Sequence, residues 1–202
     1  MRAVHGWLIL LLVVAIPAWT PAQAPFCPSG PAVLEYEAAL LPTGTSRCVF
    51  RIQAIRPDLR VEWEEDFKLG AFVIPAKVLE NSREFLRRNA LPNGREEVLK
   101  APVLVLSRQV FDALSGGGKV VLKLHHVEGW LKKESARDYE ADGLHVPAIV
   151  CQDNLGRTYV FQDSRDFPLL LEFETPHYHE RLTRVYTGSD VIFRWFKTSP
   201  GR

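Results

Sequence analysis

Residues 103–124 read Val103-Leu-Val-Leu-Ser-Arg-Gln-Val-Phe-Asp-Ala-Leu-Ser-Gly-Gly-Gly-Lys-Val-Val-Leu-Lys-Leu124, and the fold turns on how that stretch is divided. Ser107 is a good helix N-cap, because its side-chain oxygen accepts from a backbone N–H that has no partner inside the first turn. Val110, Phe111 and Leu114 recur at helical spacing as one apolar stripe, and Gly116, Gly117 and Gly118 supply a left-handed exit. A helix of about two turns is not stable alone in water, so it must lie against something larger. Val120, Leu122 and Leu124 then alternate with Val121, Lys123 and His125, the period of a strand. The predicted unit is a strand-like entry at residues 103–106 followed by a short helix on a sheet, standing as a hinge between two β-rich halves.

Toward the N-terminus, residues 33–40 place Leu34, Tyr36, Ala38 and Leu40 on one face and Glu35 and Glu37 on the other, the alternation of a sheet wet on one side. A turn around Gly44 leads to residues 47–55, where Cys48, Phe50 and Ile52 share a face, and Arg56-Pro57-Asp58 leads to residues 59–67, where Val61 and Trp63 do. Three strands in a meander are expected there. Residues 78–89 carry two readings, a helix with Val78, Leu79, Phe85 and Leu86 apolar, or extended pieces at 71–74 and 84–88; Pro92-Asn93-Gly94 ends either. Toward the C-terminus, residues 127–133 and 137–141 read as polar, edge-like strands and Asp142-Gly143 as a two-residue hairpin turn. Further strands follow at 144–151, 157–162, 169–174 and 178–186, and Ile192, Phe193, Trp195 and Phe196 either form a last strand or pack across an open end. The predicted fold is mainly β: a curved antiparallel meander, half-barrel or barrel-like, with one or two short helices packed on it.

The 202 residues, 47% hydrophobic and 24% charged, suit one globular domain, which we place at 33–196. Acids and bases are dispersed and nearly balanced, with a formal charge of +1, so the concentrated cationic face that nucleic acid requires is missing. Arg2, an apolar run at residues 7–16, and Ala18, Ala22 and Ala24 have the order of a signal peptide over residues 1–24, which predicts an exported, periplasmic or extracellular protein. Pro25 is a poor residue beyond a cleavage site and leaves a retained N-terminal anchor as the alternative, although the run is shorter than the ~20 residues of a membrane span. No second apolar stretch approaches that length. Cys27, Cys48 and Cys151 allow at most one internal pair, Cys27 with Cys48 being one option.

Few residues carry a signal of chemistry. His177 and His179 form a His-x-His pair that would share one face of a strand and reach one metal, with Asp163, Asp166, Glu172, Glu174 or Glu180 to complete the site. Pro176 argues for a turn at that point, and solvent-facing or satisfied histidines are the simpler reading. His125 and His126 would face opposite sides of a strand. Gly116-Gly117-Gly118-Lys119 is no phosphate cradle, because its glycines follow a helix instead of preceding one. Cys151 ends an apolar strand, where a thiol behaves as a small hydrophobe, and no nucleophile elbow is present. Glu62, Glu64, Glu65 and Asp66 around Trp63 read as a solvated strand edge more readily than as paired catalytic carboxylates. No cofactor is predicted.

The run from Val103 through Leu114, the glycine–lysine entry to the next strand, Val160-Phe161-Gln162-Asp163, and Phe167-Pro168-Leu169-Leu170-Leu171 together resemble exported bacterial domains of unknown function. Their curved sheet is similar to that of outer-membrane lipoprotein carriers. The resemblance spans roughly residues 34–186 and rests on packing motifs, so it carries over no catalytic residue. It implies a helix across the concave side of the sheet, over an apolar hollow lined by Phe111, Leu114, Leu122, Leu124, Tyr159, Phe161, Leu169, Leu171 and Phe173, unless those residues simply fill a core. The expected function is a non-enzymatic binding protein for a lipid, a lipoprotein or another envelope component. A metal-dependent hydrolase built on His177 and His179, and a structural or protein-interaction domain, are the alternatives.

Overall fold

A computed structural model describes residues 24–188 and 192–195, so the signal peptide read at 1–24 lies outside the described residues apart from Ala24, as does Phe196. The strands are β1 (Ala32–Leu40), β2 (Gly44–Ala54), β3 (Leu59–Glu65), β4 (Lys68–Ile74), β5 (Glu84–Phe85), β6 (Glu96–Val98), β7 (Lys119–Leu124), β8 (Val127–Ala141), β9 (Leu144–Asp153), β10 (Thr158–Gln162), β11 (Leu170–Thr175) and β12 (Tyr178–Thr187). Helices α1 (Ala76–Asn81) and α2 (Arg108–Ser115) and a 3-10 turn (Arg88–Ala90) interrupt them. All twelve strands join one open, curved sheet in the order β5-β7-β8-β9-β10-β11-β12-β1-β2-β3-β4-β6. Neighbours are antiparallel except β4 with β6 and β5 with β7. The predicted class is the observed one.

Directly opposed residues share a face of a sheet, and Ala38, Glu180, Phe173, Tyr159 and Cys151 are opposed in succession across β1, β12, β11, β10 and β9. That row ties two apolar clusters to one inner face. The first contains Leu34, Tyr36, Phe50, Trp63 and Phe72. The second contains Leu122, Leu131, Ile149, Tyr159 and Phe161. Both are covered by the chain between β4 and β7. Leu86, Leu91, Leu99, Val103, Leu104 and Val105 fill the first half, and Val110, Phe111 and Leu114 of α2 fill the second. Backbone bonds from Leu86 N to Pro102 O (2.8 Å) and from Leu170 N to Leu104 O (2.7 Å) hold this filling segment in place.

Ser107 caps α2 as expected, accepting from Val110 N at 3.3 Å and donating to Ser82 O at 2.6 Å. Gly117, at φ +78°, is the left-handed exit. Other expectations are corrected. Residues 103–106 are not a strand; they make a single bridge, Val105 to Leu169, because they are spent on filling the inner face. The first meander has four strands, since β4 continues it. Residues 78–89 divide between both readings, α1 first and the short extended β5 after it. Residues 127–141 form one 15-residue strand, interior to the sheet rather than at an edge. Its register shifts between Lys133 and Ser135, and such a bulge bends a strand. Beyond the bend, the β8–β9 hairpin reaches back to β12, with Asp142 N bonded to Thr183 O (3.0 Å) and Val185 N to Asp142 O (2.8 Å). The acidic run is not a solvated edge either: β3 is interior, Glu62 is buried, Glu64 pairs with Arg51 and Glu65 with Arg88. Phe193 and Trp195 pack on Ala71 and Val73 on the sheet's other face instead of adding a strand.

The loop before β6 crosses the sheet in close contact at Gly70. A Cβ there would stand 2.1 Å from Pro92 O and 2.9 Å from Trp63 Nε1, whose N–H donates to that same carbonyl at 3.0 Å. Gly70→Ala should therefore cost about 1–3 kcal/mol by overpacking, and Leu114→Ala about 2–5 kcal/mol by loss of buried volume. Urea denaturation measures both, and a neutral Gly70→Ala would show that this crossing does not constrain the fold.

Candidate functional site

Seven of the nine residues expected to line a hollow lie together: Phe111, Leu114, Leu122, Leu124, Tyr159, Phe161 and Phe173 all belong to the second cluster. Leu169 and Leu171 belong to the first. The separation comes from a bulge between β10 and β11: Val160 opposes Glu172 but Phe161 opposes Leu170, which leaves Leu171 as the extra residue and breaks the alternation that Leu171 and Phe173 would otherwise share. None of the nine is more than 4% exposed. They are packed against one another and against α2, and the cavity where the two clusters meet measures about 20 Å³. That is room for one water, whereas pockets for ligands of drug size run to roughly 300–1,000 Å³. The helix seals a core.

Polar groups converge on this cavity, which is lined by Tyr36, Arg87, Arg88, His125, Tyr159 and Glu180 among apolar neighbours. Arg88 enters from the 3-10 turn with its side chain only 10% exposed. Its guanidinium meets Glu65 Oε1 (3.0 Å), Glu180 Oε1 (3.3 Å) and the Tyr178 hydroxyl (3.0 Å). A buried charge is tolerable only when paired in this way. Tyr178 in turn donates to Glu180 Oε2 at 2.9 Å, and Tyr36 donates to Leu170 O at 2.5 Å. Arg87 stacks its guanidinium on Phe173 (4.8 Å) and Tyr178 (5.0 Å), an arrangement favoured by the negative faces of the rings. A polar seam thus runs between two apolar clusters.

His125 forms the far end of that seam. With His126 it is the two-residue turn joining β7 to β8, and both residues have positive φ, +57° and +69°. They do not occupy opposite sides of a strand, as the alternation predicted. Positive φ at both central positions suits the twist of a tight hairpin, but Asn-Gly is the usual occupant and side chains there carry a conformational cost. The turn is held from outside: His125 N donates to Phe85 O (2.9 Å) and His126 Nδ1 lies 2.8 Å from Glu84 Oε1. The His125 ring stacks on Tyr159 and its Nε2 lies 3.2 Å from the Tyr159 hydroxyl. That hydroxyl is 3.2 Å from Asp153 Oδ2, and Asp153 also accepts from Leu155 N, Arg157 N and Arg157 Nε at 2.9, 3.0 and 2.5 Å. Burial, reinforced by the positive charges of Arg87, Arg157 and His126, pushes the His125 imidazole down to about 3.

The late histidines are engaged separately. His177 sits in the β11–β12 turn, its N–H bonded to Thr175 Oγ1 (3.3 Å), while His179 on β12 has its Nε2 3.0 Å from Glu172 Oε1. Glu172 is also engaged by Arg137 at 2.5 Å. Pro176 ends the strand before His177, so the shared face required for a His-x-His metal pair is lost. Among the described residues no group of three or more His, Cys, Asp or Glu side chains has the arrangement to hold a metal ion. Cys27 is exposed, Cys48 and Cys151 are buried in different clusters, and all three are free thiols. Burial pushes the Cys151 thiol up to about 12, the behaviour of a packing residue.

Sequence reasoning missed Arg88 and Asp153, and named Glu180 only as a candidate metal ligand. Arg88 has no local partner to mark it, since Tyr178 lies 90 residues away. The double histidine between two alternating segments was the one local signal. No protein-family model matches the chain, and no curated protein does at a significant level.

The depressed imidazole makes stability depend on acid. An unfolded His takes up its proton near 6.5 and the folded one only at about 3, so the unfolded chain gains the proton first. The stabilising contribution is complete above about pH 6.5 and is lost as pH falls from there toward 3. His125→Asn keeps a residue that tolerates positive φ but does not titrate. Urea titrations between pH 7 and 4 should show a shallower loss of stability in that variant, and parallel curves would mean that His125 is not held neutral.

Proposed function

We propose that this chain is an exported, non-enzymatic binding domain that recognises a protein component of the envelope on the outer face of its sheet. Export is supported by the Arg2 start, the apolar run at 7–16 and the small residues at 18, 22 and 24. Among the described residues no helix is long and apolar enough to cross a membrane.

The observation that carries the choice of partner is the filled inner face. Its roughly 20 Å³ cavity takes no acyl chain in this conformation, so a lipid held inside the sheet is the weaker reading. Outside, a groove of about 770 Å³ runs over β12, β1, β2 and β3. Val33, Val49, Tyr186 and Ile192 give it apolar surface, and Ile192 is 78% exposed. Its charged residues are three of each sign, Arg47, Arg51 and Arg194 against Glu35, Glu64 and Asp66, with Arg47 on Glu35 and Arg51 on Glu64. A surface with no net charge and an apolar strip suits a protein segment better than a polyanion or an anionic bilayer. The hydrolase alternative lacks comparable support, since His177 and His179 are held apart.

A photo-crosslinking amino acid placed at Val49 in exported protein should give a discrete adduct with an envelope protein, weakened by Ile192→Glu. The same probe at Val121, away from the groove, should not. Organic extraction and mass spectrometry of the purified protein should recover no stoichiometric lipid; recovery of one equivalent of acyl lipid would replace this reading with that of a lipid carrier.

A further inference from the structure

Residues 192–195, beyond β12, form a strap on the outer face of the sheet and divide by contact. Ile192 and Arg194 line the outer groove, while Phe193 and Trp195 pack on Ala71 and Val73 of β4. The backbone N–H of Trp195 donates to Glu62 Oε1 at 2.5 Å. Register places this dock beside the groove. Tyr186, Val33, Arg51, Glu62 and Ala71 are opposed in succession across β12, β1, β2, β3 and β4, so they share a face. The first three line the groove, and the last two receive the strap.

Segments near a chain end are ordered only where they are tied down, and this strap is tied to buried groups. Glu62 is 2% exposed and Ala71 is fully buried. A carboxylate inside a protein has to be met by donors, and an N–H given to a carboxylate is among the stronger hydrogen bonds. Ile192, by contrast, is 78% exposed, so its own packing does not hold it at the groove. Arg194 differs from the other two groove arginines. Arg47 is taken up by Glu35 and Arg51 by Glu64, whereas Arg194 has no ion pair among the described residues. Asp66, on the β3–β4 turn, is the other groove charge in that condition.

We infer that Trp195 is a positioning residue for the outer groove: docked on Glu62, Ala71 and Val73, it holds Ile192 and Arg194 in place, and Arg194 presents its guanidinium to a carboxylate of the bound protein segment. This role rests on the outer groove being the binding surface, and it adds a chemistry to the partner: an apolar side chain against Ile192 and an acid within reach of Arg194. A guanidinium matches a carboxylate with two parallel N–H donors. A wall fixed before binding spares the complex the cost of ordering those side chains.

The test uses exported full-length protein with the photo-crosslinker at Val49, and hydrogen exchange of the residue 195 amide as an independent measure of the dock. Wild type should show a slowly exchanging amide and the adduct. Trp195→Ala should release the amide and lower the adduct yield about tenfold, the order expected when two side chains must be fixed by the partner. Trp195→Phe, which keeps a ring for Ala71 and Val73, should retain both. Arg194→Glu should leave the amide protected and remove the adduct. A released amide with an undiminished adduct overturns the role of Trp195 and leaves the groove reading intact, and an adduct unchanged by Arg194→Glu overturns the carboxylate assignment. A protected amide without any wild-type adduct is instead the failure of the groove reading, and the role of Trp195 falls with it. An unprotected wild-type amide overturns the dock, so wild type and Arg194→Glu decide the matter even if Trp195→Ala fails to fold.

Discussion

A curved sheet of twelve strands has an inner face that must be kept from water, and the chain meets that demand with its own middle segment. The apolar side chains between β4 and β7 are distributed over both halves: Leu86, Leu91, Val103 and Leu104 on one, Val110, Phe111 and Leu114 on the other. Every other feature adapts to this filling. β5 and β6 are short and parallel because they are passages of the filling segment that happen to meet the sheet margins. α2 is only eight residues long, because it needs to span just the second half.

Filling the inner face with one continuous segment leaves a join between two apolar clusters, and that join is where the buried charges are. Arg88 with Glu65 and Glu180, and Asp153 with Arg157, are pairs whose separation would leave an unmatched charge inside the protein. Such pairs add little net stability compared with apolar packing, but they tolerate one arrangement only. We therefore read the seam as the device that sets the register between the filling segment and the strands. Arg88 must meet β3 and β12 together, which fixes where residues 84–91 sit. His125 at positive φ belongs to the same device, since the hairpin it closes is docked on Phe85 and Glu84.

The same filling directs attention to the outside of the sheet. The cavities at the inner face measure about 20 Å³ each, and the outer groove over β1 and β2 combines apolar surface with balanced charge. Binding there requires no opening of the core.

Strand period, helix cap and turn chemistry were legible in the chain, because each depends on residues within a few positions of one another. Ser107, the glycine exit, Asp142-Gly143 and the alternation in β1, β2, β7 and β9 identified a mainly β fold with one or two short helices. Three things needed the tertiary structure. The bulge that parts Leu171 from Phe173 depends on β10 as well as β11, so period two in a single strand could not reveal it. Whether α2 covers a pocket or a core depends on volumes contributed by residues far apart in sequence. Arg88 could be recognised as a buried charge only once Glu65 and Glu180 were beside it, because a side chain's neighbourhood, unlike its periodicity, is set by contacts that the chain makes across its whole length.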